Sequence, residues 1–555
     1  MTVTLYLTKK LCTLEEGLAG ADTVAVKGDR IVAVGKLADL QRLFRDAHVD
    51  RSFSEKFVYP GFIDPNLHLW LFQLCLICEV VSPDVWSFPW SHNPSCLTSE
   101  DFETRVKGIV AAHEAGRDVD DYIMVWGYHR DWHGCLTKEK LNAWSPNKPL
   151  CIWQRSMHEA VLNDAMMKRL NLTREAYAGT PAHDDTKSWN SQHFVDEVLF
   201  AMLPRLLTLF TNSKKHASAF KKIKELLLDG GVTMCCDQGI QLFGDALTAF
   251  NEGVVDAKLA CDLFMVPECN IMWKIKGRDA FDVIDSMVKN QNNAAQGYKM
   301  LPKQVKLYSD GSAFPQKMML KQKYTDGGQG EWLMTPENFK RCTELFWEND
   351  YQIHAHCHGD LGCEVVIHTL KGCMEDRPRS DHRFCVHHLC VIKDTQPQKL
   401  RNFGAVASTN PNYVHVLGDK YSDVGVGSER AHLITRNRTY EELGMKCSYH
   451  SGAPVAPTKP LHLMWAAVTR TGMESGRSLG PSECVRTVDA LKAVTINAAY
   501  TIQCEKDYGS INSGKFANLT VLDEDLFDVN PMRIKDLHVH AILHKGIMHL
   551  TPKSR

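Results

Sequence analysis

A chain of 555 residues with 64 Lys and Arg against 66 Asp and Glu, a net charge of -2, carries no electrostatic footprint for nucleic acid or an anionic membrane. A small-molecule substrate is therefore the expected partner. Hydrophobic residues at 44% and charged residues at 23% exclude a disordered chain and supply a core without disulfide staples.

From Met1 to Gly20 the chain lacks the charged start and long apolar stretch of a signal peptide, and no run of about 18 apolar residues follows, so a cytoplasmic protein with no membrane contact is expected. Thr2 to Leu7 and Thr23 to Val34 read as β-rich, with a hairpin turn at Gly28-Asp29-Arg30. The middle alternates short apolar runs with amphipathic stretches, as a parallel barrel does: VKLYSDGS, YQIHAHCHGD, RFCVHHLCVI and GAVAST read as strands, and Phe339 to Asp350 and Leu361 to Asp376 as helices. The stretch from about 85 to 300 exceeds one loop and must carry insertions able to cover a site. Asn518 to Phe527 and His538 to Leu550 are β-rich again, the latter turning at Lys545-Gly546. The 19 cysteines are scattered, and Cys75/Cys78 and Cys235/Cys236 make no repeated CxxC set, so buried free thiols are expected.

Polar groups collect at the ends of these strands. Alternation puts Asp64, Asn66 and His68 on one face of PGFIDPNLHLW, His354, His356 and His358 on one face of YQIHAHCHGD, and His450 on the face of Gly452. By the same rule His387, next to His388, points to the opposite face, and His358 reads as a loop residue.

PGFIDPNLHLW resembles the PGFIDxHxH strand of the amidohydrolase superfamily, whose two histidines bind metal; Asn66 stands in the first place and His68 in the second. VKLYSDGS looks like the segment whose lysine is carboxylated and bridges two metals, which makes Lys306 that ligand. His356 and His388 fall at the next two ligand positions. CSYHSGAPVAPTKPL resembles the family's GSDxPV segment, with Gly452 where an aspartate binds metal and takes the proton of the attacking water. VWGYHRDWHG, SPNKPLCIWQRSMHEAVLNDAMM, GVTMCCDQG and the ending TINAAY through GSINSGKFANLTVLDED are similar to amidohydrolase family 3, the branch that includes N-substituted formamide deformylases.

The resemblance implies an α/β fold: a TIM (β/α)8 barrel over residues 58–504, with insertions between about 85 and 300, and a small β-sandwich built from residues 1–57 and 505–555. It implies metal ligands drawn from His68, Lys306, His356, His388 and Asn66. With Asn66 and Gly452 replacing usual ligands, one divalent ion, zinc, is expected rather than two. A metal-activated water would attack an amide or formamide C–N bond, with His158 polarising the carbonyl and His450 or Asp310 handling the proton. Trp126 and His354 are expected at the substrate, within an aromatic lining that includes Tyr128, Trp132 and Trp153. A homodimer is expected. The alternative is a family member that no longer hydrolyses: a lyase or cyclase, a binding protein or a partner subunit.

Overall fold

The computed structural model describes residues 2–554 apart from 117–119, 179, 212–215, 241–243 and 292–296. Eight parallel strands organise the centre: β1 (Phe62–Leu67), β2 (Val232–Ile240), β3 (Asp262–Pro267), β4 (Gln304–Tyr308), β5 (Gln352–Gly359), β6 (Cys385–Val391), β7 (Val406–Thr409) and β8 (Cys447–Tyr449). One sheet runs β1, β2, β3 and a short edge strand, Lys299–Met300; a second runs β4 to β8 in chain order. Every residue of β2, β5 and β6 is buried, as parallel strands covered on both faces require.

The ladder is not continuous around the eight strands. β3 and β4 meet through a single parallel bridge between Glu268 and Lys306. On the other side β8 is three residues long, and the chain leaves extended geometry at Gly452, whose φ is +56°. Contact with β1 there includes Gly452 N donating to Asn66 O at 2.9 Å, Ser451 N donating to Asp64 Oδ1 at 3.1 Å and, just past the strand, His68 N donating to Ala453 O at 2.9 Å. The expected barrel strands are thus present, in two open sheets.

Helices cover the outer faces for reasons readable in their sequences. Pro336–Glu348 begins with the Thr335 side chain accepting from Asn338 N and with Pro in its first turn, and it buries Phe339, Cys342, Leu345 and Phe346 at helical spacing. Deleting one such aromatic, Phe346→Ala, costs about 3–5 kcal/mol. Asp360–Asp376 follows β5 directly and buries Cys363, Val366, Ile367 and Leu370 in the same core.

Both chain ends form a seven-stranded sheet, in the order Ile547–Leu550, Val539–His544, Leu519–Leu522, His48–Pro60, Thr4–Leu11, Thr23–Lys27 and Arg30–Gly35. The two expected hairpins are there, and the strands of the expected sandwich form one continuous hydrogen-bonded ladder. Its cause is the 13-residue strand His48–Pro60, which pairs with Thr4–Leu11 along one edge and Leu519–Leu522 along the other.

The long stretch after β1 splits in two. Glu79–Val80, Ile123–Tyr128, Leu150–Gln154, Glu159–Leu162 and His193–Val195 make a separate five-stranded sheet, whereas β2 and β3 belong to the central strands. Trp126 and Trp153 are fully buried in that extra sheet's core, and Trp126 packs edge-on against Trp86 at 4.9 Å. Among the described residues no helix is long and apolar enough to cross a membrane.

Candidate metal centre

Six histidines at the central strands, His354, His356, His358, His387, His388 and His450, are buried together, and hydrogen bonding sorts them into two layers. In the deeper layer Gln304 Nε2 donates to Ile502 O at 3.0 Å, which fixes Gln304 Oε1 as an acceptor. His354 Nε2 lies 2.9 Å from that oxygen, His354 Nδ1 lies 3.1 Å from His387 Nε2, and His387 Nδ1 lies 2.9 Å from Asn66 Nδ2. The donor order that satisfies every ring nitrogen and the Gln304 oxygen runs Asn66 to His387 to His354 to Gln304, with both imidazoles neutral. Burial holds His354 and His387 well below the usual histidine range, which favours that neutral form.

This chain corrects one expectation: His354 is committed to the deep layer instead of a substrate. Asn66 gives its Nδ2 to His387, and its buried Oδ1 has no partner among the described residues. His387 also faces inward, against the alternation rule, because the backbone turns left-handed at His388 (φ +71°) and Leu389 (φ +46°). That break in the two-residue period brings both neighbouring histidines to the interior.

In the upper layer His356, His358 and His388 each present a ring nitrogen, all within 4.8 Å of one another, and all three residues are buried. His356 Nε2 and His358 Nδ1 have no hydrogen-bond partner among the described residues. His358 and His388 stack at 4.3 Å, and His356 meets each of them at 4.6 Å. Burial pushes all three well below the usual range, leaving neutral rings with lone pairs. A tetrahedral ion with Zn–N bonds of about 2.0–2.1 Å separates its ligands by about 3.3 Å, so this trio fits a divalent ion after closing by at most about 1.5 Å. His358, expected in a loop, lies within β5, and its place in the HxHxH run is the signal for that.

Beneath them lies Lys306, whose buried Nζ has no partner among the described residues and whose amine is pulled down to about 7 by burial. A neutral amine at that depth is the reactive form. His68 lines one cavity with His356, His358 and His388, lies 3.9 Å from Asp237 Oδ1, and stands outside the three-histidine group. Asp237 anchors that end of β1 by accepting from Leu69 N at 2.7 Å, and burial raises its carboxyl to about 7.

The expected proton carriers are placed differently from one another. His450 stands behind His388: its Nδ1 is 2.9 Å from Ser408 Oγ and its Nε2 is 3.2 Å from His388 Nδ1. It orients a candidate ligand instead of lining the cavity. Asp310 accepts from Ser309 Oγ, His358 N, Gly359 N and Met319 N at 2.8–3.0 Å, so its carboxylate clamps a loop and has no capacity left for a reacting proton. His158 does line the cavity, with Nδ1 2.5 Å from the buried carboxylate of Asp196, a partner that sequence reading missed.

The cavity holds about 50 Å³, between the imidazoles and an apolar wall that includes Trp70, Met157, Leu203 and Val455. Its aromatic lining is Trp70, Tyr308 and Tyr413, not the expected set. Trp126 is core, Tyr128 donates to Gly134 O at 2.8 Å, Trp132 to Glu474 Oε1 at 2.9 Å, and Trp153 to Met157 O at 3.1 Å. A larger cavity of about 550 Å³ lies on the far side of the His158–Asp196 pair, with Glu159, His193, Gln316, Lys317 and Glu331 in its wall.

Residues 54–547 match the model of the amidohydrolase family. Similar proteins include Protein LONG AFTER FAR-RED 3 of Arabidopsis thaliana, 24% identical over 534 residues that cover 93% of this chain and 86% of that protein. N-substituted formamide deformylase of Arthrobacter pascens is 23% identical over 559 residues, covering 95% and 94%. The fold is similar to that of an uncharacterized metal-dependent hydrolase from Pyrococcus horikoshii, with a TM-score of 0.68 at 20% identity over 96% of this chain and 99% of that one.

Proposed function

Because this chain belongs to the amidohydrolase family, we propose that it is a metal-dependent hydrolase of amide or formamide C–N bonds in a small molecule, built on a TIM barrel and working with one divalent ion, zinc. The observation that carries this reading is the buried trio His356, His358 and His388, two of whose nitrogens have no partner among the described residues. Lys306, carboxylated on its unpartnered amine, completes the set from below, with His68 at the rim. When bound, such an ion supplies a Lewis acid that polarises an acyl oxygen and acidifies water.

The protein's own residues do the rest. With His450 donating from Nδ1 to Ser408, its Nε2 accepts from His388 Nδ1–H and leaves His388 Nε2 as a lone pair toward the cavity. His158 is the group that exchanges a proton with the reacting atoms. A cavity of about 50 Å³ takes an acyl group of formyl size, which supports a small-acyl substrate like the one named for the Arthrobacter relative. The same reading makes the enzyme a cytoplasmic homodimer. None of the 19 cysteines is in a disulfide, which suits a reducing compartment, and light scattering on the eluted protein tests the dimer.

The test is elemental analysis of the purified protein and of His356→Ala and His358→Ala, with turnover measured on N-substituted formamides and acetamides. About one ion per chain, lost in both variants, together with release of amine supports the proposal. Two ions per chain, both needed for activity, overturn its mononuclear part. A second reading, a member that binds without hydrolysing, is favoured by Asn66 being tied to His387 and by the missing side chain at Gly452; a metal-replete protein that binds amides and releases no amine would establish it.

A further inference from the structure

Between the two cavities stands a line of three side chains from three separate segments. Asp196 is fully buried and opens the helix Asp196–Thr211. It holds His158 at two points: its carboxylate meets His158 Nδ1 at 2.5 Å, and its backbone N donates to His158 O at 2.8 Å. Asp196 sits at φ +41°, a conformation most residues avoid, so the turn that presents it is itself constrained.

The second Asp196 oxygen, Oδ2, is buried and receives no N–H or hydroxyl donor among the described residues. The Asp196 carboxyl also meets that of Glu331, which Lys317 holds from the other side at 3.1 Å. Two carboxyl groups in hydrogen-bonding contact share one proton. Burial and the Asp196 charge raise Glu331 to about 7, while the His158 partner keeps Asp196 low, so the shared proton resides on Glu331 and is donated to Asp196.

We propose that Asp196 and Glu331 are positioning residues for His158, fixing its imidazole as the Nδ1–H tautomer with Nε2 presented to the histidine-lined cavity. This rests on the hydrolase reading above. In the reaction His158 Nε2 takes one proton of water as its oxygen bonds to the acyl carbon. It delivers that proton to the nitrogen as the C–N bond breaks, so a neutral amine leaves and the acid keeps the water oxygen with its second proton. Glu331, neutral, anchors Asp196 without competing for the Nδ1 proton.

Two substitutions separate this from a helix-capping role for Asp196. Asp196→Ser keeps a small polar residue at the start of the helix but is too short to hold His158. On a formamide that the metal-loaded protein turns over, it is expected to lower kcat by about 100-fold with KM changed less than about 3-fold, metal content intact and thermal unfolding little moved. Glu331→Leu is expected to lower kcat by about 10-fold, the value of one hydrogen bond, while Glu331→Gln, which still donates, stays within about 3-fold of the parent.

A readout that needs no substrate is the ¹⁵N spectrum of histidine-labelled protein, with the His158 signals identified by their loss in His158→Gln. The expected result is a protonated Nδ1 in the parent and a tautomer mixture in Asp196→Ser. An Nε2–H tautomer in the parent, or an unchanged tautomer in Asp196→Ser, overturns the proposal. If the spectra behave as expected but no amide is hydrolysed, the positioning holds and the hydrolase reading fails.

Discussion

Replacing Asp84 by Asn leaves Arg155 buried without its counter-charge. The Arg155 side chain has 0% exposure and that of Asp84 9%; Nε and Nη2 donate to the two carboxylate oxygens at 2.8 and 2.7 Å. Ser82 Oγ and Trp86 Nε1 donate to the same carboxylate, and Arg155 lies over the rings of Trp86 at 4.6 Å and Trp126 at 5.1 Å. Breaking a buried pair from one side costs about 3–5 kcal/mol, and Asp84→Asn belongs near the lower bound because the amide oxygen still accepts one bond. The pH dependence gives a second magnitude. Arg155 outweighs burial and holds Asp84 at about 2 against its ordinary 3.8, a difference of about 2.5 kcal/mol. As a depressed carboxyl, it contributes fully above about pH 4 and loses that contribution as pH falls toward 2. Urea unfolding at pH 7, followed by tryptophan emission and circular dichroism, should show Asp84→Asn destabilised by about 3 kcal/mol. The double change Asp84→Asn with Arg155→Met should recover more than half of it, since the unpaired charge is gone. A single variant within about 1 kcal/mol of the parent, or a double variant no better than the single, refutes the charge-burial argument. Arg155 Nη1 also donates to Pro454 O at 2.7 Å, so the same variant should loosen a wall of the histidine-lined cavity and weaken metal retention during dialysis.

Alanine at His388 should abolish metal binding, whereas His354→Ala should keep the ion and instead lower stability by about 1–3 kcal/mol for the buried groups it strands, as read by metal analysis beside urea unfolding. Ser408→Ala frees His450 from its anchor and should weaken metal affinity by about 10-fold or more in a competition titration with a chelator; unchanged affinity would show that His450 does not orient His388. Gly452→Asp should fit, since an added Cβ meets nothing closer than 3.7 Å and φ +56° costs Asp about 1–2 kcal/mol. It should strengthen zinc binding in calorimetry, and weaker binding would mean that the added carboxylate does not reach the ion. Bicarbonate should raise metal loading of the parent and leave Lys306→Ala unaffected, because the neutral Lys306 amine is the form that takes up carbon dioxide.

Much of the centre was legible because its signals are local. β5 carries His354, His356 and His358 at a spacing of two, the terminal hairpins turn at glycine, and the helix from Pro336 opens with a threonine cap. Each of these needs the chain to interact with itself only over a few residues. The aromatic pocket was misread for the complementary reason. Trp126 and Trp153 have the composition of a lining, but whether a tryptophan faces a cavity or a core is decided by the sheet it sits on.

Sequence by itself therefore determined which strands hold chemistry and which residue types they bring: Lys306 on β4, histidines on β5 and β6, and the absence of a carboxylate at Gly452. Tertiary structure alone decided their roles. It turned the backbone left-handed at His388 so that His387 went to Asn66 and His388 to the cavity, and it set His450 behind His388 and closed Asp310 onto a loop. It also brought Asp196 across 38 residues to His158, and Glu331 to Asp196 from a different segment. The physical reason is range: a two-residue alternation specifies a face within one strand, whereas a hydrogen bond between segments exists only after the chain has packed and excluded the water that would otherwise satisfy both groups.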